Sequence, residues 1–298
     1  MTMHQTAEIA QIRTILHNWI SKVLPAEALK WVDEKAEKIA GGADDWVFFT
    51  SFSAVPRYTG KTDLSLNADA LHVATEARQH WNPRHWSVDQ AARSLLVLSL
   101  PDNPIEPYLE RLEKVFNAAD IGESVVLYQT LPLYPHPEQF IDRAAEGLRS
   151  NMTSVFEAVA LRNPFPSEYF EENAWNQLVL KSCFVGSSLH RILGLDARAN
   201  ATLASILVDY AHERWSAGRT VTPELWRPVG PFATDQYIGD LERVVRDDDP
   251  VLQEAGALAL SQSPSSQAAN LLAEFPALKS RIESGALTWD SFSQDRLA

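Results

Sequence analysis

The 298 residues are 45% hydrophobic and carry a formal charge of −13, enough apolar material for a sizeable core and the wrong sign of charge for a surface that must neutralise nucleic-acid phosphates. The single cysteine, Cys183, rules out an intramolecular disulfide. Met1 to Arg13 has neither the basic start nor the unbroken apolar stretch of a secretory signal, and no run approaches the ~20 apolar residues that span a bilayer, so the expected location is the cytoplasm and the chain is not expected to span a membrane.

Hydrophobic spacing is helical along most of the chain. Ile9, Ile12, Leu16, Trp19, Ile20 and Val23 recur at three and four residues, one face of an amphipathic helix, within an N-terminal helical part spanning 5–45. Trp46 to Phe52 is the one aromatic and β-branched run; a strand and a buried helix both fit it, and its helical surroundings favour the helix, ending at Pro56. Ser53 to Lys61 then reads as a proline and glycine loop holding Arg57 and Lys61, either closing one side of a pocket or packing its aromatics with both cations solvated. A helix over 68–81 would stack His72, Glu76 and His80 on one face, yet eight residues of helix span ~12 Å, too far for both histidines to share one ion. A solvated stripe is the expectation there.

Val88 to Ser99, Val125 to Leu133 and Leu203 to Ala211 repeat the helical period, separated by turns such as Leu100 to Pro104, Tyr134 to Pro137 and Arg162 to Pro166. Thr222, Pro223 and Glu224 have the order of a cap, a first-turn proline and an acid suited to a helix start. The stretch from Asp240 to Ser261, an acidic turn with proline and then an alanine-rich helix, resembles a HEAT repeat. Leu278 to Ser284 and Leu287 to Phe292 supply a closing helix. The expected fold is all-α: stacked antiparallel helix pairs forming a HEAT-like α-solenoid, a single domain with a central block at 46–232 and a HEAT-like part at 233–298.

Polar groups concentrate between Ser150 and Trp226. Lys181, His190, Arg191, Arg198, Arg214 and Arg219 gather positive charge in an acidic chain, and on one concave wall their forks would suit a carboxylate or phosphate. Glu168, Glu172, Asp196, Asp209 and Glu213 offer interhelix pairing as the alternative. Arg162, Asn163, Trp175 and Asn176 sit among Phe165, Tyr169 and Phe170, the composition of an apolar pocket with a few placed polar groups or of an ordinary helix core. His212 and Glu213 are adjacent and so point about 100° apart on a helix, which disfavours direct acid–base cooperation. Cys183 reads as a small buried hydrophobe. No nucleophile elbow or phosphate loop occurs, and no residue pattern calls for a cofactor.

The wording LRNPFPSEYF, AWNQLVLK, FVGSSLHRILGLD and DYAHERWSAGR, with FSAVPR before it and LWRPVGPF after it, resembles the EboA family of metabolite traffic proteins over roughly Trp46 to Ser263. The resemblance implies a role in a small bacterial gene cluster that moves a secondary-metabolite precursor toward the cell envelope, beside a membrane prenyltransferase-like protein and several enzyme-like partners. It brings no agreed catalytic residues with it. The expected function is therefore noncatalytic: binding a metabolite precursor or scaffolding partner proteins, with Arg57, Arg162, Asn163, Trp175, Asn176, Lys181, His190, Arg191, His212, Glu213, Arg214 and Arg219 as candidate ligand or partner contacts. An enzyme acting on an aromatic or isoprenoid intermediate near His212 and Glu213, and a purely structural interaction module, are the competing expectations.

Overall fold

The structure is a computed structural model that describes residues 3–296, with side chains described for 8–293. It is 71% helical, and the described residues contain eighteen α-helices and no strand. The chain divides into two compact units, Met1–Tyr169 and Phe170–Ala298, a boundary that falls inside the central block expected from the sequence.

The first unit holds α1 (Met3–Ile20), α2 (Ala26–Ala40), α3 (Asp45–Thr59), α4 (Ala68–Ala77), α5 (Val88–Val97), α6 (Ile105–Ala118), α7 (Ile121–Gln129), α8 (Ile141–Arg149), α9 (Thr153–Ala160) and α10 (Phe165–Tyr169). At its centre lies α5, whose residues from Val88 to Val97 are all buried except Gln90; α1, α2, α3 and α7 pack on it. A capping box starts α5, with Ser87 N–H donating to the Gln90 side chain at 2.9 Å. Its Ser87 end is also tied by two backbone bonds to the preceding loop, Leu64 N–H to the Trp86 carbonyl (3.0 Å) and Val88 N–H to that of Thr62 (2.8 Å). Trp81 joins Trp19 and Trp86 in an aromatic cluster, ring centroids 5.3 and 5.9 Å apart.

The run from Trp46 to Phe52 is helix, as its surroundings favour, but the helix does not end at Pro56 and no loop begins at Ser53: α3 continues through Pro56 to Thr59. Arg57 therefore stands exposed on a last helical turn. The physical reason is a compensation from another helix. Proline has no N–H, so the carbonyl four residues earlier, Phe52, loses its intrahelical donor. Arg93 of α5 supplies one, its Nε donating to the Phe52 carbonyl at 3.0 Å while the guanidinium lies 5.3 Å from the Phe52 ring centroid. Arg93 is 4% exposed, and Asp89 and Glu123 stand 3.6 Å from its other nitrogens. Glu123 is itself held in the capping box of α7, accepting from Asp120 N–H at 3.0 Å. Three helices, α3, α5 and α7, are thus locked around one buried cation.

The helix expected over 68–81 stops at Ala77, before His80, whose φ is +64°. His72 and Glu76 meet at 3.4 Å on an exposed face, and among the described residues no group of three or more His, Cys, Asp or Glu is placed to hold a metal.

The second unit holds α11 (Glu172–Val185), α12 (Ala201–Ser216), α13 (Trp226–Val229), α14 (Ile238–Val245), α15 (Pro250–Gln262), α16 (Ser266–Ala273), α17 (Pro276–Glu283) and α18 (Trp289–Arg296). Several helices in both units have eight to ten residues, shorter than the period alone implies, because proline and 3-10 turns interrupt the pattern. α15 is the hub: Glu254 to Leu260 are all buried, and α13, α14, α16, α17 and α18 pack around it. Small residues permit this. A Cβ on Gly256 would lie 2.7 Å from Val245 N and 2.9 Å from Val245 Cα, so α14 and α15 approach nearly backbone to backbone. Among the described residues no helix is long and apolar enough to cross a membrane.

Two outcomes follow from these contacts. Arg93→Met should cost about 3–5 kcal/mol, because it leaves Asp89, Glu123 and the Phe52 carbonyl buried without their partner; in a Pro56→Ala background, where residue 56 regains an N–H for Phe52, the penalty should shrink by about 1 kcal/mol in a denaturant double-mutant cycle. Additive penalties would show that the carbonyl does not depend on Arg93. Gly256→Ala should lower stability by about 1–3 kcal/mol, since the clashing atoms are backbone; an unchanged melting temperature would contradict the close approach.

Candidate functional site

Most of the expected contact residues belong to the second unit, where the structure gives several of them structural partners. Trp175 is fully buried, the Arg198 guanidinium lies 4.7 Å from its ring centroid, and Arg198 Nη2 donates to the Phe170 carbonyl at 2.6 Å. Asn176, 1% exposed, exchanges side-chain amide bonds with Asn200, its Nδ2 donating to Asn200 Oδ1 (3.3 Å) and its Oδ1 accepting from Asn200 Nδ2 (2.9 Å). The same Asn200 Oδ1 caps α12 by accepting from Leu203 N–H at 2.8 Å. Trp175 and Asn176 thus orient the start of α12 from inside the unit and do not line a surface.

His190 sits on a 3-10 turn, Leu189–Arg191, gripped by a carboxylate that is 2% exposed. Glu224 accepts from Leu189 N–H (2.8 Å), His190 N–H (2.9 Å), His190 Nδ1 (2.8 Å) and Ser293 Oγ (3.3 Å). The sequence places Glu224 as a helix-start acid; instead its carboxylate is buried and holds a distant turn, where four donors replace its lost hydration. Arg191 is half-buried on that turn, and Lys181 is half-buried on α11, where burial pulls its ammonium pKa down. Cys183 is buried with its thiol pushed up to about 12, chiefly by loss of water, which makes it inert at neutral pH.

His212 and Glu213 do not form a pair. His212 Nε2 meets Asp240 Oδ1 at 2.6 Å, half exposed, while Glu213 and Asp209 are exposed. Arg214 donates through Nε to the Thr220 carbonyl at 3.1 Å. In the first unit, Asn163 is fully engaged: Nδ2 donates to the Tyr128 and Ala158 carbonyls (3.1 and 2.9 Å) and Oδ1 accepts from Phe165 N–H (3.0 Å). Arg162 beside it adopts φ +54°. Arg57, Arg162 and Asn163 therefore lie in a different unit from Trp175 through Arg219.

One of the expected residues borders a cavity. Arg219 lines a 260 Å³ cleft in the second unit with Trp215, Val221, Trp226, Arg243, Asp247 and Leu252. Trp215 stacks on the buried Trp226 at 5.7 Å and 21°, and the Arg243 guanidinium lies 4.2 Å from the centroid of Trp215. The indole Nε1 of Trp226 is buried without a hydrogen-bond partner. A stacked aromatic wall beside Arg219 and Arg243 combines a surface for an apolar body with donors for an anionic head. Trp215 and Arg243 are the residues that sequence spacing missed. Trp215 lies in the quoted block but looks like any aromatic on a helix face, and Arg243 is an ordinary charge on an amphipathic helix until α14 packs near α12.

No curated protein and no solved structure matches the chain. A family model described as metabolite traffic protein EboA matches residues 12–230, beginning earlier than the quoted wording and stopping before α14. Most of the chain lies within that match, and it belongs to the EboA family of metabolite traffic proteins.

Proposed function

We propose that the protein serves metabolite traffic by noncatalytic binding of a precursor, and that the cleft between Trp215 and Arg243 is where the precursor sits. The observation that carries this reading is the stacked Trp215–Trp226 wall with Arg219 and Arg243 at a 260 Å³ opening. An aromatic or chain-like body would lie against Trp215, backed by the buried Trp226, and a carboxylate or phosphate would meet the guanidinium groups. α14 and α15, joined by the short turn between Val245 and Pro250, act as a HEAT-like hairpin that carries Arg243 and Leu252 to this opening. In this reading the cargo is a secondary-metabolite precursor, the compartment is the cytoplasm, and delivery ends at the membrane-associated partners that the family implies. Carriage is favoured over pure scaffolding by the lined concavity at Trp215, Arg219 and Arg243.

The test is capture of the tagged protein from cells expressing its gene neighbourhood, with mass spectrometry of the extracted small molecules. A bound metabolite should be recovered with the native protein, and its yield should fall about tenfold or more for Trp215→Ala and for Arg243→Glu, each circular-dichroism profile remaining helical. Undiminished recovery from both variants would remove the cleft from the mechanism, and recovery of proteins alone would replace carriage by scaffolding.

A further inference from the structure

The first unit contains a second cavity of different chemistry. It measures 200 Å³ and is walled by Ile9, Val97, Leu98, Leu100, Pro101 and Pro135. Three polar side chains also line it: Arg13 from α1, Asp102 from the turn after α5, and Tyr108 from α6. One buried atom of each, Arg13 Nε, Asp102 Oδ2 and the Tyr108 hydroxyl, has no hydrogen-bond partner in the protein. Tyr108 is 1% exposed, and its ring is fixed edge-on against Phe140 at 6.3 Å. His136 Nε2 stands 3.6 Å from Asp102 Oδ2, beyond hydrogen-bonding reach.

Native interiors rarely leave such atoms unpaired, and three around one hollow point to an occupant. The volume exceeds the ~150 Å³ cavity that accepts a benzene-sized molecule. Burial holds the Tyr108 phenol well above its ordinary pKa, with Tyr134 and Asp102 adding to the effect, so it stays neutral and can donate or accept. Arg13 is also partly desolvated, and burial draws its pKa down. Ala10 and Arg13 line in addition a more open hollow of 570 Å³ with His17 and Asp33.

We infer that this cavity binds a small zwitterion with an apolar body, the chemistry of an aliphatic amino acid. Its carboxylate accepts from Arg13, its ammonium donates to Asp102, Tyr108 bonds whichever group lies nearer, and the aliphatic portion fills the wall of Val97, Leu98, Leu100 and the prolines. A cation and an anion facing one apolar hollow match a ligand with both charges and no net charge, whereas a simple anion would leave Asp102 unanswered. This site is independent of the cleft at Trp215.

The test uses the full-length purified protein with L-leucine as the probe, followed by calorimetry and thermal melting. L-leucine should bind at millimolar or lower concentration, and 4-methylpentanoate, which lacks the ammonium, should bind about tenfold or more weakly. Asp102→Asn should erase that preference. Tyr108→Phe should weaken leucine about tenfold while raising the melting temperature of the ligand-free protein by about 2 °C or more, because it deletes a buried hydroxyl that nothing in the fold satisfies. Trp215→Ala should bind leucine like the native protein, which separates this site from the proposed cargo cleft. No leucine binding, equal binding of the two probes, or a lower melting temperature for Tyr108→Phe would each overturn the inference, the last by showing a cavity that only holds water.

Discussion

The hydrogen bond from Arg93 to the Phe52 carbonyl is the constraint on which the first unit turns. A proline in the interior of α3 removes one helical donor, and the molecule replaces it with a guanidinium brought from α5. Once that cation is buried it requires its own compensation, which Asp89 and Glu123 supply at 3.6 Å. The caps of α5 and α7 are set by residues adjoining or belonging to the same cluster. An irregularity in one helix thereby dictates the packing of two others.

Glu224 does comparable work in the second unit. Its carboxylate gathers two backbone amides, an imidazole and a hydroxyl, and so fixes a turn that has few bonds of its own. Both units therefore spend buried charge on holding irregular backbone in place. Many polar residues of the central block are therefore architectural, while the cleft in one unit is lined by Trp215, Arg219 and Arg243 and the cavity in the other by Arg13 and Tyr108.

Much of the helical content was legible because apolar spacing is a local signal. The faces starting at Ile9, Val88, Leu203 and Leu252 each became a helix. Pro56 misled because its cost is local while its remedy, Arg93, is tertiary. Glu224 misled similarly: Thr-Pro-Glu does open a 3-10 turn before α13, yet the direction of the carboxylate depends on a turn 34 residues away in sequence. The Arg–His cluster was visible as composition, but whether each member faces a ligand, a carbonyl or a carboxylate is decided by helix rotation, which charge counting does not encode. Tyr108 carried no signal at all, since a tyrosine on an apolar helix face looks the same whether its hydroxyl is satisfied or not.

The burial of α15 has a consequence for motion. Every residue from Glu254 to Leu260 is enclosed, with helices packed on several sides and Gly256 pressed against the backbone of Val245. Its amides can exchange with solvent only through opening of the whole unit, so this helix sets the slow end of the hydrogen-exchange scale. Arg243 and Leu252 flank that immobile seam, so changes in the shape of the cleft must come from side-chain rotation at picoseconds to nanoseconds, while the helices beneath stay still.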